Sequence, residues 1–407
     1  MKIWIIDHYS VPVKYYPLAR NTNFAKHLMK MGHDVTIFAA STVHNSDVNL
    51  ITDGSKYREI IDDGVRYVLV RCHQYKGNGM QRIRNMYEFS IMLESVCDKY
   101  DRPEAIISTS MTLQACKKGI QIGKKYGCKC IAQITDLWPE SLIAYGKATI
   151  NNPIVKYLRQ IEKWIYTYSD QLVFSMGGAY DYIIEQGWQG LIPREKVHYI
   201  NNGVDLQQYD INKERYTVDD SDLINADLFK VVYVGSIRNA NNINVLLDSA
   251  KKVKNSKIKF LIWGDGDQLT ALEERVNNEG IDNVVFKGRV DKKYIPYITS
   301  CADLNIVHGS STPIVRFGMS LNKFFDCLAA GKPILVDFES PYNPVVEEAA
   351  AIKTRNSSPE CIAETIDNIS RMKKDVINEY CKNARKGAEK YDFTVLTNKL
   401  INVIEGA

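Results

Sequence analysis

The stretch Gly318-Met319-Ser320-Leu321-Asn322-Lys323-Phe324-Phe325-Asp326-Cys327-Leu328-Ala329-Ala330-Gly331-Lys332-Pro333 reads as one capped helix with an apolar run behind it. The periodicity predicts a helix over 321–330, between apolar strands at 304–307 and 334–336. Ser320 predicts the N-cap, and Gly331 followed by Pro333 predicts the stop. Strand, helix and strand on this spacing make a parallel βαβ unit. The free amides at the helix start, at the positive end of its dipole, suit a diphosphate. Lys323 adds a full charge in the first turn. Asp326 lies three residues beyond Lys323 and four beyond Asn322, so the three share one face. An ionised carboxylate only accepts hydrogen bonds, so Asp326 fits the two hydroxyls of a ribose. Taken alone, the stretch reads equally well as an ordinary helix with solvated charges.

The same alternation runs outward in both directions. Towards the start, strands are expected at 3–6, 35–39, 65–70, 105–108, 129–134 and 171–174, with helices at 18–31, 82–97, 113–125 and 153–168. Nearer the quoted stretch, strands are expected at 231–234, 258–263 and 284–286, with helices at 242–253, 268–279 and 294–300. Helices at 359–372, 376–389 and 395–404 close the chain. A break near Ile192-Pro193 and the turn signal Asn201-Asn202-Gly203 separate the halves. The fold class is therefore α/β, with two Rossmann-like lobes facing a central cleft. Residues 1–192 form the acceptor-side lobe and 201–385 the nucleotide lobe, and 386–407 is expected as a helix packing back on the first lobe. Ligands of such lobes bind where strands end and loops enter helices.

Composition excludes several classes. The chain has 407 residues, more than one core usually supports. Its apolar runs are strand-sized, far short of the ~20 residues of a membrane span, and the opening run is too short for a signal peptide. Nine scattered cysteines suggest reduced thiols in a cytoplasmic protein and show no paired zinc-ligand spacing. Residues 1–190 carry 23 Lys+Arg against 18 Asp+Glu, so the basic excess lies in the first half. An anionic partner or a solvated surface explains it equally. No basic cluster with interleaved aromatics points to nucleic acid. Within 75–91, Met80, Ile83, Met86, Tyr87 and Ile91 fall near helical spacing beside Lys76, Arg82 and Arg84. That pattern suits a membrane surface, or a core helix with a solvated edge.

Three further loops follow strands. Tyr233-Val234-Gly235-Ser236-Ile237-Arg238 delivers an arginine able to neutralise phosphate, or an ordinary surface arginine. Trp263-Gly264-Asp265-Gly266-Asp267 offers two carboxylates, but its glycines predict a turn and Asp267 a helix cap rather than a metal site. Lys287-Gly288-Arg289-Val290 ends a strand where backbone could read a base edge.

These motifs resemble the retaining glycosyltransferases of family 4, which have the GT-B fold. Asn201-Asn202-Gly203-Val204-Asp205 resembles an interdomain motif of that family. The loop at 233–238 resembles the one bearing a phosphate-binding arginine, and 325–333 the segment with a nucleotide-binding acid. Thr135-Asp136-Leu137-Trp138-Pro139-Glu140-Ser141-Leu142 resembles a motif of the branch that builds bacterial O-antigens and capsules, which includes N-acetylfucosamine transferases. The resemblance implies transfer of a sugar, an N-acetylated aminosugar, from a nucleotide diphosphate, namely UDP. The acceptor would be a saccharide or a lipid-diphosphate-linked saccharide, at the inner face of the plasma membrane, with no cofactor and no metal. It implies catalytic roles for Asp136, Arg238 and Lys323, and donor binding by Gly235, Ser236, Gly264, Arg289, Ser320, Leu321, Asn322 and Asp326. His8, Tyr9 and Glu140 would lie on the acceptor side. The chain departs from the family at Gly318, where a glutamate is usual, and at Asn242, where a lysine is usual. It departs also at His8–Pro12, in place of a glycine pair, and at Thr135, in place of a histidine. Two alternatives stay open: a sugar-nucleotide 2-epimerase of the same fold, and a non-catalytic nucleotide-sugar binding protein.

Overall fold

Ile3, Trp4, Ile5 and Ile6 are almost wholly buried, as befits a strand covered on both faces. They belong to the central strand of the first of two units. A computed structural model describes residues 1–15, 20–44, 46–110, 112–309 and 312–406. Its contacts divide the chain into Met1–Asn201 with Phe393–Ala407, and Asn202–Asp392. Residues 193–201 thus belong to the first unit and 386–392 to the second.

The first unit holds β1 (Lys2–Ile6), β2 (Asp34–Ala40), β3 (Tyr57–Asp62), β4 (Val65–Val70), β5 (Ala105–Thr109), β6 (Lys129–Ile134), β7 (Gln171–Phe174) and β8 (Val197–Tyr199). Around them lie α1 (Arg20–Lys30), α2 (Met80–Cys97), α3 (Leu113–Tyr126), α4 (Glu140–Ala144), α5 (Pro153–Tyr168) and α6 (Ala179–Glu185). The sheet order is β3-β4-β2-β1-β5-β6-β7-β8, and only β3 runs antiparallel to its neighbour. The chain leaves β1 towards β2 and later returns to β5 on its other side, so the topological switch point lies between β1 and β5. Of the helix expected over 18–31, residues 18 and 19 lie outside the described residues.

The second unit holds β9 (Phe229–Val234), β10 (Ile258–Trp263), β11 (Val284–Gly288), β12 (Leu304–Val307), β13 (Ile334–Val336) and β14 (Ala351–Lys353), in the order β11-β10-β9-β12-β13-β14. All its pairings are parallel. Its helices are α7 (Leu206–Arg215), α8 (Ser221–Ile224), α9 (Asn244–Ala250), α10 (Leu269–Glu279), α11 (Ile295–Cys301), α12 (Asn322–Ala330), α13 (Pro344–Glu347), α14 (Pro359–Ile369) and α15 (Lys374–Lys390). Here the switch point lies between β9 and β12. The expected helix at 242–253 is shorter, because Asn242 takes a left-handed turn before α9.

The helices expected at 376–389 and 395–404 are α15 and α16 (Phe393–Glu405), and the segment 386–407 divides between the units: the end of α15 and a turn stay in the second, and α16 belongs to the first. The break has a local cause. Asp392 Oδ2 accepts from Leu206 N at 2.9 Å, and Val204 pairs with Asp392 as an isolated bridge. These bonds hold Asp392 in the second unit. One residue later Phe393 packs edge-on against Phe24 of α1, with ring centroids 5.3 Å apart.

The 75–91 segment divides. Tyr75 is buried, and α2 buries Asn85, Phe89, Leu93 and Val96 on one face. The opposite face exposes Met80 at 77%, Ile83 at 44%, Tyr87 at 37% and Ile91 at 70%. Among the described residues no helix is long and apolar enough to cross a membrane.

Candidate active site

In the second unit, functional side chains collect at the carboxyl edge of the sheet, where loops after β9, β10 and β11 are stitched together. Gly235 N donates to Trp263 O at 3.0 Å, Ile237 N to Asp265 O at 2.9 Å and Gly264 N to Gly288 O at 2.9 Å. The approach is so close that a Cβ on Gly264 would stand 1.8 Å from the Gly235 carbonyl oxygen. Gly264 is also at φ +152°, so it serves the packing of two loops. Asp267 does not cap α10. The N-cap is Gln268, with no side-chain cap bond, and Asp265 Oδ1 instead accepts from Gly266 N at 2.7 Å.

These loops leave two guanidinium groups unspent. Arg238 and Arg289 are exposed, and neither side chain makes a hydrogen bond or ion pair with any described residue. Lys323 differs. Its ammonium reaches back over the switch point, donating to the His308 carbonyl at 2.7 Å and lying 3.4 Å from Tyr233 Oη. It sits 4.7 Å from the centroid of the Tyr233 ring. Tyr233 belongs to β9 and His308 follows β12, so the charge stands over the crevice between them. Burial lowers the Lys323 ammonium to about 8, and no carboxylate is hydrogen-bonded to it. Asp337 favours the charged form from a distance, and a desolvated cation with no carboxylate hydrogen-bonded to it attracts an anion.

The start of α12 corrects part of the sequence reading. The N-cap is Leu321, with no side-chain cap bond, and not Ser320. The Ser320 hydroxyl accepts from Asn202 N at 3.1 Å, and Asn322 Oδ1 accepts from the Asn202 side chain. Both side chains therefore anchor the Asn202-Gly203-Val204-Asp205 segment to the helix. Phe324 N donates to Leu321 O at 3.1 Å, which leaves the Asn322 and Lys323 amides, at the start of the first turn, as the backbone groups at this helix end able to meet a phosphate. Asp326, one turn on, is half-buried and has no hydrogen-bond partner among the described residues. Burial raises its carboxyl above the usual range, while Lys292 opposes that shift.

In the first unit, polar groups collect beside the β1–β5 switch point. Asn21 Nδ2 donates to Asp7 Oδ2 at 2.7 Å and to Thr109 Oγ1 at 3.1 Å, and Gln133 Nε2 donates to Asn21 Oδ1 at 2.8 Å. The hydroxyls of Ser108 and Ser110 and the Gln133 Oε1 are buried without a described partner. Asn85 Nδ2 donates to the His73 carbonyl, which turns Asn85 Oδ1 to His8 Nε2 at 2.7 Å. The His8 Nε2 therefore carries the proton, and Nδ1 presents a buried lone pair without a described partner. Burial drives His8 down to about 3, so the ring is neutral. Tyr9 is buried, and its hydroxyl accepts from Arg82 Nε at 3.0 Å.

Asp136 follows β6. It is half-buried, accepts from Ser141 Oγ at 2.6 Å and is raised by desolvation. Glu140 does not stand free as an acceptor-side group. Its carboxylate pairs with Arg159 Nη2 at 2.6 Å, and Arg159 also pairs with Glu162 at 3.0 Å. A buried carboxylate requires such a counter-charge, and α5 supplies it. Missed altogether in the sequence were Asp7, Asn21, Gln133, His308 and Asp337.

Family models now add their evidence. "Glycosyltransferase Family 4" matches residues 20–208 and "Glycosyl transferases group 1" matches residues 215–391. Both halves of the chain are glycosyltransferase domains. Among relatives of the transferase, a Pseudomonas aeruginosa protein named "Probable glycosyltransferase WbjE" is 22% identical over 304 residues, covering 72% of each chain. TuaH of Bacillus subtilis, which carries a name in teichuronic acid biosynthesis, is 27% identical over 146 residues, covering 35% of this chain and 34% of its own. Among solved structures, HepE of Anabaena in complex with UDP superposes with a TM-score of 0.68 at 12% identity, covering all of both chains. The fold of the transferase is GT-B.

Proposed function

We propose that the chain is a retaining, metal-independent transferase that moves an N-acetylated aminosugar from UDP to a lipid-diphosphate-linked saccharide in bacterial surface polysaccharide synthesis. One observation carries the donor assignment: the Lys323 ammonium stands over the β9–β12 crevice without an acid partner, at the sheet edge that bears the free Arg238 and Arg289. The diphosphate lies there, with Lys323, Arg238 and the α12 amides holding its charge. Asp326 takes the ribose hydroxyls, and backbone beside Arg289 reads the base. Preorganised cations placed where the leaving diphosphate gains charge lower the barrier, and removing one such donor typically costs ~10²–10³ in rate. The leaving phosphate collects the acceptor's proton, so the protein supplies no strong base. HepE, solved with UDP, supports the choice of nucleotide, and TuaH's name supports a surface polysaccharide.

The acceptor binds the first unit beside the β1–β5 switch point, where the unmet polar atoms of Ser110, Gln133 and His8 suit sugar hydroxyls. Asp136 accepts a hydrogen bond from donor sugar or acceptor through the oxygen that Ser141 leaves free. The exposed face of α2 lies against the inner leaflet and delivers the lipid-linked acceptor. Lys76 and Arg84 already pair with Asp47 and Glu88, so the apolar stripe rather than charge makes this contact.

Thermal shift tests the donor assignment. At 100 times its dissociation constant, UDP adds ~2.7 kcal/mol of stability, with or without a chelator. Stabilisation that vanishes in chelator and returns with manganese overturns the metal-independent reading. Release of a 2-epimerised sugar without any acceptor would identify an epimerase instead.

A further inference from the structure

His308 follows β12 directly and is buried, at 2% exposure. Its ring spans two other loops. Nδ1 meets the carboxylate of Asp337, the residue after β13, and Nε2 lies 3.0 Å from the backbone carbonyl of Asn242. A carbonyl only accepts, so Nε2 carries a proton and donates it. The backbone carbonyl of His308 in turn accepts from Lys323 Nζ at 2.7 Å.

Asn242 closes the short turn that follows Arg238, at φ 44° and ψ 51°. This is left-handed backbone, which asparagine enters more readily than most residues. The start of the same loop is tied by Asn241 Nδ2, which donates to the Ser236 carbonyl and hydroxyl at 2.7 Å each. Arg238 sits between these ties. Its long side chain is free, but its backbone is clamped at both ends: Ile237 N ties the loop to Asp265 O after β10 at 2.9 Å, and His308 provides the clamp across the switch point, from β12. The same residue holds the Lys323 ammonium.

We propose that His308 is the positioning residue of the donor site, setting the loop that carries Arg238 in register with the Lys323 ammonium so that both meet one diphosphate. The inference rests on the reading of this edge as a nucleotide diphosphate site. His308 touches no substrate atom. Asp337 orients its ring, as carboxylates commonly orient functional imidazoles. Holding two cations in place before binding spares the ordering cost that a loose loop pays on association.

The test titrates the full chain and three variants, His308→Asn, His308→Gln and Asn242→Ala, with uridine diphosphate and with uridine. Asparagine places an amide where Nδ1 stood and loses the bond to Asn242, whereas glutamine places one where Nε2 stood and keeps it. His308→Asn loses roughly five- to tenfold in affinity for the diphosphate, the net worth of one hydrogen bond, and His308→Gln recovers most of that loss. Uridine, which lacks phosphate, binds all four alike. Asn242 is exposed, so Asn242→Ala folds even where a buried substitution does not. Alanine resists the left-handed turn, so this variant also loses diphosphate affinity selectively. Wild-type protein that binds no uridine diphosphate overturns the site reading itself. Wild type that binds it, with His308→Asn and Asn242→Ala binding as tightly, overturns the positioning role. Equal losses for uridine and its diphosphate also overturn it, since they mark general damage.

Discussion

Burial lowers the Lys323 ammonium to about 8, and that gives the donor site a pH signature. Diphosphate binding favours the charged form, so it raises this value in the complex. Affinity for UDP should therefore be flat below about pH 8 and fall as pH rises above it, up to tenfold per unit. Lys323→Ala should bind more weakly and lose the dependence. Calorimetry across pH 6.5–9.5 checks both, and a wild-type affinity that stays flat to high pH contradicts the role. Asp326 is separable from it. Asp326→Asn should weaken UDP by roughly 1.5–3 kcal/mol, the worth of hydrogen bonds to a charged group, yet leave inorganic diphosphate nearly unaffected. Equal losses would mean that Asp326 does not hold the ribose. That Lys323, Asp326 and Arg238 stand at this sheet edge was legible, because charge sat at helical or strand-end spacing. Ser320 was misread because its hydroxyl is claimed by Asn202, 118 residues earlier in sequence. His308 left no signal, since its side-chain partners lie 29 and 66 residues away.

Elements covered on both faces were the easiest to read. Strands β1, β6 and β10 are mostly apolar and buried, as a parallel sheet favours. Strand β3, Tyr-Arg-Glu-Ile-Ile-Asp, was missed because it is an antiparallel edge, half-solvated and charged. Strands β8 and β14 are three residues each and only partly buried, so no apolar run marks them, unlike the fully buried β13 of the same length. Helix α2 was read with a stripe at the right spacing, but which side met the core needed the structure. The exposed side predicts a vesicle assay. Ile83→Asp with Ile91→Asp should lower co-sedimentation with anionic phosphatidylglycerol vesicles roughly tenfold or more, given ~1.5–3 kcal/mol for burying each isoleucine. Melting temperature should hold. Ile61→Asp, at a 72% exposed position on β3, serves as the control and should change nothing. Equal binding by all forms would remove α2 from the membrane.

In the proposed reaction the two units of the molecule divide the labour. The second supplies cations and Asp326 for the nucleotide, and the first supplies Asp136 and the polar groups near β1 and β5 for the sugars. The alternating pattern made two lobes legible, and the return of the C-terminal helix to the first unit was expected, while the boundary at Asp392 depended on bonds that no pattern in the sequence marks. Asp136 is the residue on which the division turns, because its carboxylate is oriented by Ser141 within its own unit. In the proposed reaction its carboxylate acts on the transition state rather than on ground-state binding, and such interactions change rate without changing affinity. The most direct test is the calorimetric affinity of the full chain for UDP in Lys323→Ala and Asp136→Ala. Lys323→Ala should lose roughly tenfold or more, the worth of a charge-assisted bond to phosphate, and Asp136→Ala should keep wild-type affinity. Unchanged affinity in Lys323→Ala, or an equal loss in Asp136→Ala, would contradict this division of labour.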